Sequence, residues 1–387
     1  MKILSLFDGI SCARVALERA GIPVEAYYAS EVDKYAMQIS AKNYPDIIQL
    51  GSVTNISVAM DCYDSKNSKV YNLFHFVKNN LLASVEMPKI DLLIGGSPCQ
   101  DLSIAKKNRK GLDGERSGLF WEYVRILKEV KPKYFILENV NSMPKEAKAL
   151  ITETLGVEPI MINAALVSAQ NRKRLFWIGE RVDTRQIGHW DSSGYEKVNV
   201  TQPEDRGIFL KDILEQEVDE KYTVILKDGN EKLKSNTVRS SGRGSGIDDK
   251  HNWDTIRIGQ IGKGGQGNRI YSPKGKSVAL SANSGGKGPK TGLYAIPVAL
   301  RNRGEGKKPE YNGTDKANSM TTVQTDSMVE VDTQIRKLTP IECERLQGVP
   351  DNYTEGASNS QRYKMLGNAF NVDVVSHILS HINNLKI

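Results

Sequence analysis

Apolar and polar positions alternate along the first half of the chain in two different periods. Ile3-Leu4-Ser5-Leu6-Phe7 is a short apolar run that predicts a buried strand, and Ala13 to Ala20 carries helical spacing stopped by Gly21. Val24 to Ser30 predicts a second strand and Lys34 to Asn43 a helix ending before Pro45. The pattern continues with a helix over about 71–84, a strand through Ile90-Asp91-Leu92-Leu93-Ile94 and a helix from Gly118 to Glu129. Tyr134-Phe135-Ile136-Leu137 predicts a further strand, and Lys145 to Leu155 a helix. Pro159 to Ala165 and Arg174 to Gly179 then read as two strands with no helix between them, hence an antiparallel pair. Repeated strand–helix units give an α/β chain with a doubly wound, mostly parallel sheet, to which the hairpin adds one reversed strand at or near an edge.

Beyond about residue 183 this regularity dissolves into short β-prone stretches between Gly/Ser/Asn loops. Three similar segments begin at Ser235, Lys276 and Asn318, which predicts three related β units rather than a solenoid. Helical order returns at Leu338-Thr339-Pro340, where Thr339 can cap a helix that has Pro340 at its first position, and an amphipathic helix from about Val372 to Leu385 ends the chain. The expected division is residues 1–182, a smaller β- and loop-rich domain at 183–363, and a segment 364–387 that returns to the first domain.

Charge sharpens this division. The chain of 387 residues has a net charge of +7, yet residues 221–310 alone carry 18 Lys and Arg against 7 Asp and Glu, together with 16 of the 33 glycines. Everything else sums to −4. A basic, glycine-rich segment in a near-neutral chain fits a polyanion-binding face, and also a solvated insertion. Cys12, Cys62, Cys99 and Cys343 are far apart with no paired metal-ligand spacing, which argues for a reducing cytoplasm and against a disulfide frame or structural zinc. No run is long and apolar enough to span a membrane, and Asp8 comes too early for a signal peptide.

The candidate chemistry sits at strand ends. Gly95-Gly96-Ser97-Pro98-Cys99-Gln100 follows the apolar strand at residue 90, placing a cysteine where open α/β sheets put reactive groups. Cys99 reads as a reactive thiol or as a small buried hydrophobe. Phe7-Asp8-Gly9 joins the first strand to its helix, a place where backbone N–H groups cradle a ligand, but it lacks the three-glycine dinucleotide spacing. Glu31, at the end of the second strand, is placed to accept hydrogen bonds from a ribose diol. Glu138 closes another strand, either facing the Cys99 loop or capping a helix. In the extended segment Gln170-Asn171-Arg172-Lys173-Arg174, the two arginines point to one face, to bind a phosphate or steady an oxyanion, or as a basic hairpin tip.

These pieces, in this order, resemble the DNA (cytosine-5)-methyltransferase family over essentially the whole chain except its middle. Phe7-Asp8-Gly9 is similar to the family's cofactor loop, Pro98-Cys99-Gln100 to its catalytic loop and Glu138-Asn139-Val140 to its acid motif. Gln170 through Arg174 is similar to the double-arginine motif, and residues 111–120 to the segment between cysteine and acid. Arg345-Leu346-Gln347-Gly348-Val349-Pro350 and Gly367-Asn368 are similar to the last two motifs. Ser11-Cys12 stands where the family often has Gly-Gly. Ser52 stands at the position of its adenine-binding aspartate, and a hydroxyl accepts that hydrogen bond more weakly.

The resemblance implies a Rossmann-like methyltransferase sheet with a target-recognition domain. It implies a sequence-specific transfer from S-adenosylmethionine to carbon 5 of a flipped cytosine. Cys99 would be the nucleophile, Glu138 the group on ring N3, and Arg172 and Arg174 the groups that orient the base and the Cys99 loop. The cofactor would lie along Phe7, Asp8, Gly9, Glu31, Val32, Ser52, Val53, Pro98, Leu119 and Asn368. Ser103, Gln170, Arg239, Arg243, Arg269 and Lys276 would meet double-stranded DNA, with the cluster Lys106-Lys107-Asn108-Arg109-Lys110 close to phosphate. A cytoplasmic monomer is expected, with no metal and no membrane, alongside a separate restriction endonuclease if the enzyme belongs to a restriction-modification pair. An RNA-directed enzyme and a catalytically idle DNA-binding regulator are the competing readings.

Overall fold

The computed structural model describes residues 1–64, 69–78, 81–97, 118–182, 194–219, 222, 255, 257–260, 269–280, 293–302, 307–310 and 331–382. The chain divides into two compact units. One comprises Met1–Asn163, Lys173–Pro203 and Ala369–Ile387, and the other Ala164–Arg172 and Glu204–Asn368. The divisions therefore fall at 203 and 368, where the sequence placed them at 182 and 363, and the short segment 164–172 joins the second unit.

The first unit begins with β1 (Lys2–Leu6), α1 (Cys12–Arg19), β2 (Ala26–Ser30), α2 (Lys34–Asn43) and β3 (Ile48–Gln49). Asp33 caps α2 by accepting from the amides of Tyr35 and Ala36, so that helix starts where the sequence predicts. Three strands follow, β4 (Ser57–Asp64), β5 (Lys69–Lys78) and β6 (Leu81–Glu86), paired as a separate antiparallel sheet. This corrects the helix expected over 71–84. Phe74 and Phe76 are buried while His75 between them is not, an alternation of period two in an aromatic-rich run, which suits a strand.

The parallel core continues with β7 (Leu92–Gly95), α3 (Leu119–Val130), β8 (Tyr134–Val140), α4 (Lys145–Leu155) and β9 (Ile160–Asn163). The two-residue β10 (Gln170–Asn171) belongs to the second unit, and the chain returns as β11 (Lys173–Arg181) and β12 (Tyr195–Lys197). The main sheet has eight strands in the order β12-β11-β8-β7-β1-β2-β3, with β9 also pairing β11. β1, β2, β3, β7 and β8 are parallel, and β11 runs against β8, β9 and β12 as the single reversed strand. Leu4, Leu6, Leu93, Phe135, Leu137 and Trp177 face α3 and α4 in one apolar cluster.

The order of the central strands locates the ligand edge. From β1 the chain steps outward through β2 and β3, then returns to lay β7 on the other side of β1. The crevice beyond the carboxyl ends of β1 and β7 is thus a topological switch point, where open α/β sheets hold ligands.

In the second unit, β13 (Arg257–Gln260), β14 (Arg269–Tyr271), β16 (Leu293–Asn302), β17 (Lys307–Glu310) and β18 (Val331–Arg336) form a mixed sheet, while β15 (Ser277–Val278) pairs with β10. α5 (Pro340–Gln347) has the predicted start: Thr339 and Glu342 form a reciprocal capping box behind Pro340. α6 (Asn359–Asn368) closes this unit, and α7 (Val372–Ser380) returns to the first one, where it packs against α1. Of the three similar β segments, the middle one is described through Leu280 and contains β15; the first and third lie outside the described residues.

Candidate functional site

Loops after β1 and β2 build one side of the crevice. Phe7 and Ser11 adopt left-handed backbone conformations with φ near 57° and 60°, and Gly9 does so at 62°. Such turns aim successive N–H groups outward. The Gly9 amide donates to Glu31 Oε2 at 2.8 Å, and Glu31 Oε1 accepts from the amides of Val32 and Asp33 at 2.7 and 2.8 Å. Glu31 is therefore a partly exposed carboxylate held rigid by three backbone donors. Val32 beside it is 71% exposed, an apolar platform next to a fixed acceptor.

Asp8, expected along the cofactor, lies in this loop with its side chain buried. Its side chain is 5% exposed and turned inward, accepting from the hydroxyls of Tyr27 at 2.6 Å and Ser11 at 2.5 Å. Desolvation raises its pKa from the ordinary 3.8 to about 6, against the opposing hydrogen bonds of Ser11 and Tyr27. Asp8 shapes the loop from beneath and does not offer its carboxylate to a ligand.

The remaining cofactor positions are distributed as follows. Ser52 caps the short turn Val53–Asn55, with its hydroxyl 2.8 Å from that of Thr54. The Val53 side chain is buried, and its carbonyl accepts from Arg125 at 3.1 Å. Leu119 opens α3 and packs on the main apolar cluster. Asn368 is exposed at the end of α6 in the second unit. Pro98 lies outside the described residues.

The opposite wall of the crevice comes from β7 and β8. A Cβ on Gly95 would lie 2.9 Å from the Leu6 carbonyl oxygen. On Gly96 it would lie 2.9 Å from the Phe370 ring and 3.0 Å from Glu138 Oε2. A side chain at Gly95 would meet backbone, and one at Gly96 would displace the Phe370 ring and the Glu138 carboxylate. The Glu138 carboxylate therefore sits against the main chain three residues before Cys99. Its other oxygen accepts from Arg174 Nε at 2.7 Å, with both side chains mostly buried. The sheet register explains this pairing. Glu138 lies opposite Phe176 in the β8–β11 ladder, which makes Arg174 its diagonal neighbour on the same face.

Asn139, quoted in the acid motif without a role, is a residue that sequence reasoning missed. It is 1% exposed, and its Nδ2 donates to Ser97 Oγ at 3.2 Å while its Oδ1 accepts from the Val140 amide at 2.8 Å. It ties the end of the acid strand to the loop entering Cys99. The signal available was its place beside Glu138 at a strand terminus.

Arg172 belongs to the second unit. It is buried, and its guanidinium donates to the Gly367 carbonyl at 3.2 Å. The two arginines thus reach different partners. Gln170 is fully buried, and among the described residues neither atom of its amide has a hydrogen-bond partner. An amide left so costs about 1–3 kcal/mol. Arg269 is half-buried in β14. Lys276, expected at the DNA, is 1% exposed, with its ammonium held by main-chain carbonyls. Cys99, Ser103, Arg239, Arg243 and residues 106–110 lie outside the described residues.

A profile described as C-5 cytosine-specific DNA methylase matches residues 1–384. The chain belongs to the C-5 cytosine-specific DNA methylase family. It is 27% identical over 398 residues to type II methyltransferase M.HhaI of Haemophilus parahaemolyticus, covering 99% of this chain and 94% of that protein. It is likewise 27% identical to the orphan methyltransferase M.SPRI of Bacillus phage SPR, covering 99% and 97%. Among solved structures it resembles the Entamoeba histolytica methyltransferase EhMeth at a TM-score of 0.56 and 14% identity, over 100% of this chain and 99% of that one. A DNA modification methyltransferase encoded within an Escherichia coli prophage aligns at 0.51 and 18%, over 100% and 99%. These structural likenesses establish the fold, the Rossmann-like sheet of a methyltransferase. Among the described residues, no group of three or more His, Cys, Asp or Glu could hold a metal, and no helix is long and apolar enough to cross a membrane.

Proposed function

We propose that this C-5 cytosine DNA methylase transfers a methyl group from S-adenosylmethionine to carbon 5 of a cytosine flipped out of double-stranded DNA. The observation that carries this reading is the position of Glu138, paired with Arg174 and pressed against the glycine that leads into Cys99. An acid fixed between an arginine and a cysteine loop can hold one edge of a planar base while the thiol meets its ring.

In this reading the Cys99 thiolate adds to carbon 6, and the displaced electron pair makes carbon 5 nucleophilic. Glu138 holds N3, where charge would otherwise build, and Arg174 keeps the carboxyl group in place. Carbon 5 then takes the methyl group. Loss of its proton returns the electron pair, breaks the carbon–sulfur bond and frees Cys99. S-adenosylmethionine, when bound, supplies that methyl as a sulfonium electrophile. The rigid Glu31 carboxylate, the Gly9 turn and the exposed Val32 fit a nucleoside with a diol and a flat base. The ring carbons are inaccessible in a stacked duplex, so flipping costs a few kcal/mol. Phosphate contacts by basic residues within 221–310 would offset it. We take the enzyme to act as a monomer.

Bisulfite sequencing of plasmid from a host expressing the wild type or Cys99→Ser tests the proposal. New methylcytosine in one shared sequence context, present with the wild type and absent with Cys99→Ser, is the expected result. Plasmid unmodified by the wild type would overturn it, and methylation of tRNA instead of duplex DNA would move the activity to RNA.

A further inference from the structure

The basic stretch near residue 276 contains a lysine that faces no solvent. Lys276 Nζ donates to the carbonyl oxygens of Ala165 at 2.8 Å, Ser168 at 3.3 Å and Ile208, and lies 5.1 Å from the centre of the Phe209 ring. An ammonium has three protons and no acceptor, so this set uses each of them. Two of the carbonyls belong to the 3-10 turn Ala164–Leu166 and to the loop just beyond it. Lys276 reaches them from 111 and 108 residues away along the chain.

The neighbouring residues continue the same grip. The Ser277 amide donates to the Ala169 carbonyl at 2.7 Å, and β15 runs parallel to β10 with Gln170 opposite Ser277 and Asn171 opposite Val278. The Ala164 amide closes the loop on the Arg172 carbonyl at 3.0 Å. At the exit of that loop, Arg172 reaches the Gly367 carbonyl, next to Asn368. Segment 164–172 is thus held from inside by Lys276, along one edge by β15 and at its mouth by its own backbone.

We propose that Lys276 is a positioning residue for methyl transfer: its ammonium fixes the 164–172 loop so that Gln170 and Arg172 keep their direction. This rests on the reading that Arg172 serves the transfer. A lysine suits the task because one cation satisfies three converging carbonyls, where three neutral donors would need more room. Removing it takes one hydrogen bond from each of the three and frees the loop to shift. Misplacement by about 1 Å far from the chemistry can cost about 100-fold in rate.

The test compares wild type, Lys276→Met and, if that variant does not fold, Lys276→Gln, as full chains on plasmid DNA. DNA affinity is measured across a salt series, and the single-turnover transfer rate is counted per DNA-bound enzyme. The expected result is unchanged affinity and salt slope with a transfer rate lowered about 100-fold. A salt slope shallower by about 1 would make Lys276 a phosphate contact, and an unchanged rate per bound enzyme would make it inert to transfer; either overturns the proposal. Should the wild type itself transfer no methyl group, the enzymatic reading fails separately. Amide exchange at 169–172 then decides whether Lys276 holds the loop. Lys276→Met should speed it about tenfold, the equivalent of one lost hydrogen bond, and unchanged exchange would refute that too.

Discussion

Replacing Asp8 by asparagine should make the wild-type enzyme's stability disadvantage depend on pH in one direction. Asp8 is buried beneath the first loop, and burial raises its pKa from 3.8 to about 6. A carboxyl with a raised folded-state pKa binds more protons in the native chain than in the unfolded one over that interval. Its contribution is therefore most favourable below about pH 4 and is lost as pH rises through 6. Two pKa units at about 1.4 kcal/mol each amount to about 3 kcal/mol, of which about 2 to 3 kcal/mol falls between pH 4 and 7.5. Asparagine has nearly the same shape and no titration. Its carbonyl can accept from Tyr27, and its NH2 can donate to Ser11, whose own proton can turn to Ser40, 2.6 Å away. The assay is urea unfolding of both proteins at pH 4, 5, 6 and 7.5, followed by fluorescence of Trp177, which is buried in the same unit. Taking the difference between the two proteins cancels every other titrating group. The variant should gain on the wild type by about 2 to 3 kcal/mol from the lowest to the highest pH. A flat difference, or a wild type that gains as pH rises, would refute the claim that burial dominates at Asp8.

Three further outcomes follow from close contacts. Gly96→Ala places a methyl 2.9 Å from Phe370 and 3.0 Å from Glu138, so it should lower methyl transfer about 100-fold while circular dichroism stays native. Arg174→Lys keeps the charge but loses the directed Nε donor at 2.7 Å to Glu138. Single-turnover kinetics should show a rate loss of about tenfold or more with DNA affinity retained, since one charged hydrogen bond is worth about 1.5–3 kcal/mol. Arg336→Met leaves the fully buried Glu342 without its ion-pair partner at 2.6 Å. Denaturation should show a loss of about 3–5 kcal/mol, mostly recovered when Glu342→Leu is added; no recovery would point to the capping role of Glu342 instead.

Much of the fold was legible because local rules and tertiary packing agree. The helices α2 and α4 begin and end where capping, proline and glycine signals put them. The parallel sheet with its reversed β11 follows from strand–helix alternation interrupted by one hairpin. The stretch at 71–84 was misread because a run dense in apolar and aromatic residues satisfies both periods, and burial of Phe74 and Phe76 chose the strand. The burial of Lys276 was not legible for a related reason. Counting charge treats every lysine as solvated, and a buried ammonium is revealed by the carbonyls around it, which come from residues far away in sequence.

The sequence by itself determined the family, the strand ends that carry chemistry, and the basic, glycine-rich character of residues 221–310. These are written in local order and composition. Tertiary structure alone decided that Glu138 pairs with Arg174 and presses on Gly96, that Asp8 faces inward, and that the Lys276 ammonium is buried against main-chain carbonyls. Each depends on strand register and on which groups lose water on folding, and neither quantity is a property of a residue and its neighbours in sequence.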